Sequence, residues 1–60
     1  MPEGKILVVD DEEVICNLMK DFLEEAGYSI TIAHNGNEAI REIRKASFDI
    51  IVTDIKMPDM

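Results

Sequence analysis

Residues 6 to 9, Ile-Leu-Val-Val, form a continuous apolar run closed by Asp10 and Asp11, the pattern of a short strand buried on both faces. The period then changes. Val14, Ile15, Leu18, Met19, Phe22, Leu23 and Ala26 recur at helical spacing, so residues 12 to 26 read as an amphipathic helix whose apolar side covers about half its circumference. Glu12 and Glu13 stand in its first turn, where negative charge suits the helix dipole, and Gly27 is its natural stop. Residues 28 to 33, Tyr-Ser-Ile-Thr-Ile-Ala, alternate, which marks a strand with one wetter face, placed at a sheet edge. Asn35 is positioned to cap a second helix running to about Ala46, with Glu38 returning the capping contact and Ala39, Ile40 and Ile43 facing inward. Residues 48 to 53, Phe-Asp-Ile-Ile-Val-Thr, make a third strand that is apolar on both sides in its middle and ends at Asp54.

The resulting β-α-β-α-β order with short connections predicts a parallel α/β sheet. With the alternating strand at the edge, the strand order is 2-1-3, and right-handed crossovers place the two helices on opposite faces. Between strands 1 and 3 the winding reverses direction. Ligands of open parallel sheets bind outside the carboxyl ends of the strands at such a point, and Asp10, Asp11 and Asp54 all fall there.

Composition narrows the picture. The chain has 60 residues, one small domain at most, and a chain of that size buries only about 60% of the surface its unfolded form exposes. Hydrophobic residues make up 47% and charged residues 32%, too apolar for a disordered tail. The net charge of −7 is uneven: residues 1–27 hold eight acids and two lysines, a balance of −6. A sequence pI near 4.4 argues against nucleic-acid binding, which needs a basic patch. Cys16 is the single cysteine, which rules out an internal disulfide and fits a cytoplasmic location. No apolar run reaches the length of a membrane span, and the start lacks the layout of a signal peptide.

Grouped carboxylates repel one another; two about 4 Å apart do so by about 4 kcal/mol at an effective dielectric of about 20. A cation relieves that cost. Mg²⁺ takes one or two carboxylates with waters, often completed by a phosphate, so the three aspartates are a candidate Mg²⁺ site. Asp11 has an alternative use as a cap for the helix that follows, whereas Asp54 precedes no helical pattern.

Ile6 to Glu13 (ILVVDDEE), Asn35 to Ala39 (NGNEA) and Phe48 to Asp59 (FDIIVTDIKMPD) together resemble the receiver domain of two-component response regulators, with the motifs in order across essentially the whole chain. The resemblance implies a flavodoxin-like doubly wound sheet and a phosphorelay role in which Asp54 accepts a phosphoryl group from a sensor histidine kinase or histidine phosphotransferase. It implies that Asp11, Asp54 and the main-chain carbonyl of Lys56 ligate Mg²⁺, with Asp10 acting largely through water, and that the module is not itself an enzyme. A complete receiver would continue through two more strands and three more helices. Residues 1–60 are therefore expected to be the amino-terminal half, truncated in the loop after strand 3 and impaired in phosphorylation. They would lack the hydroxyl residue and the lysine that hold the phosphoryl oxygens in the family.

Ile50, Ile51 and Val52 describe an interior strand, yet the 2-1-3 order leaves it at an edge, a template for self-association. A structural, self-associating half-domain is thus the alternative function. A metal-dependent phosphohydrolase is a weaker one, because Glu12 stands where its second aspartate would be. Cys16 is read as a packing residue and His34 as a loop residue. The acids of helix 1, chiefly Asp21, Glu24 and Glu25, are read as a solvated face, near which the resemblance implies that kinase partners dock.

Overall fold

Five elements follow one another in the computed structural model, which describes residues 4–53: β1 (Lys5–Val9), α1 (Glu13–Glu25), β2 (Ser29–Ala33), α2 (Gly36–Lys45) and β3 (Ile50–Thr53). All strand pairing is parallel and the order is β2-β1-β3, as the hydrophobic pattern predicts. Val9 is in register with Ala33 on one side and Thr53 on the other.

Because successive strand residues point to opposite faces, the apolar run of β1 supplies two cores. Ile6 and Val8 pack with Cys16, Met19 and Leu23 from the α1 side and with Ile30, Ile32 and Val52 from the flanking strands. Leu7 and Val9 pack with Ala33, Ala39 and Phe48 on the other face, against α2. Leu7 is completely buried, a contribution of roughly 1.5–3 kcal/mol for a side chain of its kind. The helices therefore lie on opposite faces.

Local chemistry sets the ends of the elements. Gly27, at φ +104°, lets Tyr28 N–H reach the Leu23 carbonyl at 3.1 Å and Gly27 N–H reach that of Glu24 at 3.0 Å, the paired bonds of a Schellman stop. Tyr28 is thereby used to end α1, and β2 begins one residue later than its alternation suggests. At α2, Asn35 Oδ1 accepts from Glu38 N–H at 2.9 Å, the expected cap. Glu38 returns its contact to His34 N–H at 2.9 Å, one residue before the cap. The third strand is shorter than the apolar pattern because Asp49 Oδ2 takes the Lys5 N–H at 2.8 Å. Regular pairing starts at Ile50.

Two apolar stripes are less buried than helical spacing suggests. On α1 the covered side is Cys16, Met19 and Leu23, while Val14, Leu18 and Phe22 are 71%, 63% and 73% exposed. On α2 only Ala39 is buried. Ile40 and Ile43, expected to face inward, instead line an open groove of about 300 Å³ with Val9, Ala39 and Ile51. Three strands are too narrow to cover both helices fully, and Ile50 and Ile51 are each about half exposed on the β3 edge.

Candidate functional site

The carboxyl end of β1 is built around Asp10. Its N–H donates to the Ala33 carbonyl at 3.0 Å, carrying the ladder to β2 one residue past the strand. Its Oδ1 accepts from Glu12 N–H at 2.9 Å, and its main-chain carbonyl accepts from Cys16 Sγ at 3.3 Å. Asp10 is nine-tenths buried. Three of its polar atoms are thus committed within the protein, while the second carboxylate oxygen lies outside these bonds.

Asp11 does not cap α1. The N-cap is Glu12, whose side chain makes no capping bond, and the turn is closed from two residues earlier by Asp10 Oδ1. Asp11 is exposed and free to bind a ligand at the turn. Carboxylate oxygens are the hard donors that Mg²⁺ takes, so the chemistry of this pair fits the ion. Among the described residues no three His, Cys, Asp or Glu side chains are grouped to hold a metal. The third carboxylate expected there, Asp54, and the Lys56 carbonyl lie outside the described residues. The last described residue before Asp54 is Thr53, paired with Val9; adjacent strands lie about 4.8 Å apart.

Cys16 is 1% exposed and is a buried member of the α1 core with Ile6 and Val8, as a packing residue should be. Burial pushes its thiol pKa up, and the carboxylates of Asp10, Asp11 and Glu13 push the same way. The thiol therefore keeps its proton and can donate to Asp10. Its link to the acidic turn was not foreseen from the sequence, although its spacing from Met19 and Leu23 already places it on the buried stripe.

His34 follows β2 at the same end of the sheet. Its Nδ1 lies 3.4 Å from Glu38 Oε1, with both side chains over two-fifths exposed. The His34 backbone N–H, aided by the imidazole, holds the Glu38 carboxyl below the usual range. The expectation of a loop histidine is met, with the added task of closing the α2 cap. Among the described residues, the apolar groove between α2 and β3 is lined without any acid.

The response regulator receiver domain model matches residues 6–60. The chain belongs to this family. This receiver is 48% identical over 56 residues to the transcriptional regulatory protein ResD of Bacillus subtilis, covering 93% of the chain and 23% of that protein. It is 47% identical over 58 residues to probable histidine kinase 1 of Oryza sativa subsp. indica, covering 97% of the chain and 6% of that protein. Among solved structures it resembles the chemotaxis response regulator CheY4 of Vibrio cholerae, with a TM-score of 0.90 at 40% identity, covering 95% of this chain and 48% of that one. The receiver thus spans half or less of each, and its fold is flavodoxin-like. No helix among the described residues is long and apolar enough to cross a membrane.

Proposed function

We propose that this receiver accepts a phosphoryl group on Asp54 from a phosphohistidine of a sensor histidine kinase or histidine phosphotransferase, as a phosphoacceptor and not as an enzyme acting on external substrates. The observation that carries this reading is the register of Val9 with Thr53. It brings together the ends of the two strands that lead into Asp10-Asp11 and Asp54 at the carboxyl edge of a parallel sheet, where such folds bind ligands.

In this reading Asp11, Asp54 and the Lys56 carbonyl hold Mg²⁺, with Asp10 acting through water. When bound, the ion offsets the charge of carboxylates and phosphoryl oxygens as they approach. A carboxylate oxygen of Asp54 attacks phosphorus, the phosphorus–nitrogen bond of the donor breaks with its electron pair passing to the imidazole, and an acyl phosphate remains on Asp54. Asp10 fixes the turn, and Asp11 presents its carboxylate to solvent and ion. Transfer is positioning and charge neutralisation.

Incubation with Mg²⁺ and acetyl phosphate, read by intact mass, tests the assignment. A gain of one phosphoryl group that is absent in Asp54→Asn is the expected result; modification that persists in Asp54→Asn rejects it. Rapid hydrolysis of phosphate esters would instead identify a hydrolase.

The half-exposed Ile50 and Ile51 on the β3 edge, which is unpaired among the described residues, favour a second activity, self-association through that strand. Sedimentation over a hundredfold range of concentration tests it, and a monomer throughout rejects it.

A further inference from the structure

The acidic turn has a support that Mg²⁺ chemistry alone does not call for. Asp10 is the last residue of the β1 ladder, and Cys16 lies one turn into α1, its own N–H bonded to the Glu12 carbonyl at 3.1 Å. The Cys16 thiol reaches back six positions along the chain to the Asp10 carbonyl at 3.3 Å. Both residues are at least nine-tenths buried. A carbonyl only accepts, so the thiol is the donor.

We infer that Cys16 is a positioning residue for the metal-binding carboxylates: its thiol clamps the Asp10 carbonyl, fixing the peptide that joins Asp10 to Asp11 and thereby the direction of both side chains. The inference rests on the Mg²⁺ reading of the site for its functional half and on geometry alone for its structural half. Asp10 is held at its N–H by Ala33 and at its carboxylate by Glu12. These two bonds leave rotation of the Asp10–Asp11 peptide plane open, and the thiol bond restrains it. Two residues on, Glu12 N–H points back to Asp10 Oδ1, so slack in that plane also loosens the Glu12 bond. Partners that orient metal ligands in this way typically alter metal affinity by roughly 10–100-fold. A thiol is a weak donor, which places the effect at the low end of that range.

The two halves separate in one experiment on ¹⁵N-labelled protein comparing native, Cys16→Ser and Cys16→Val. Serine keeps a donor, whereas valine fills similar space without one. In metal-free buffer, the inference expects amide exchange at Glu12 to be several-fold faster in C16V and within about twofold of native in C16S. On titration with MgCl₂, followed by amide shifts of Asp10 to Glu12, C16V should bind about tenfold more weakly and C16S close to native. Unchanged Glu12 exchange in C16V overturns the clamp, and equal losses in C16S and C16V reduce Cys16 to packing. If native protein shows no Mg²⁺-dependent shift, the metal reading of the site fails, while the exchange comparison still decides whether the thiol holds the turn.

Discussion

Replacing Asp10 by alanine and by asparagine separates its two roles, because Oδ1 acts as a hydrogen-bond acceptor and the whole group acts as a charge. A folded chain of this length is expected to be stable by about 3–9 kcal/mol, taking roughly 0.05–0.15 kcal/mol per residue. Oδ1 of the nine-tenths buried Asp10 accepts from Glu12 N–H at 2.9 Å, and a bond to a charged group is worth about 1.5–3 kcal/mol. Asp10→Ala forfeits that bond. It also removes repulsion from the exposed Asp11, about 1 kcal/mol for neighbouring charges between solvent and surface dielectric. The net expectation is a loss of about 1 kcal/mol. Asp10→Asn keeps the acceptor as a neutral bond, worth about 1 kcal/mol, and removes the same repulsion, so its stability should lie near native.

Urea denaturation in EDTA reads the difference. With a slope near 1 kcal/mol/M, at the low end for small proteins, the midpoint of D10A should fall about 1 M below that of D10N. Added Mg²⁺ should then raise native stability by about 1.4 kcal/mol at tenfold excess over its dissociation constant, with a smaller gain in D10N. Equal midpoints for D10A and D10N without metal would refute the claim that Asp10 Oδ1 organises the turn. An equal Mg²⁺ gain in D10N and native would refute its contribution to the metal site.

Three further outcomes follow from the caps and the edge. Asn35→Ala removes the bond to Glu38 N–H and should cost about 1 kcal/mol by urea denaturation, with Asn35→Asp restoring it. The Glu38 carboxyl is held below its ordinary value by His34, so its contribution is present above the unfolded-state pKa and fades as pH falls through the lower folded value; Glu38→Gln should flatten that acid limb in a pH series of thermal melts. Ile51→Lys places a charge on the exposed β3 edge and should abolish any concentration-dependent association seen by sedimentation.

The features legible in the sequence were those in which one pattern admits one structure. Four apolar residues ending in acids describe a doubly buried strand, and Ile6 to Val9 supply both cores as expected. The register that brings the ends of β1 and β3 together follows from the same pattern once the alternating strand is put at the edge. Periodicity was less informative on α1, because a wide apolar stripe does not say which half a narrow sheet covers. Cys16, Met19 and Leu23 are taken in, and Val14, Leu18 and Phe22 remain outside.

The sequence leaves open whether Asp11 caps α1, and the reason is chemical. Asp10 and Asp11 are both able to bond a nearby N–H, and composition does not distinguish them; the backbone does. Asp10 is fixed by the ladder through Ala33, so its side chain is the one oriented to reach Glu12. Had Asp11 capped the helix, its carboxylate would be spent on a backbone donor. Because Asp10 closes the turn from inside, Asp11 keeps its charge exposed at the switch point, where a cation is the partner its chemistry favours. The buried acid makes the exposed one available. That division of labour also makes a thiol on Asp10 consequential, since loosening the inner residue misdirects the outer one.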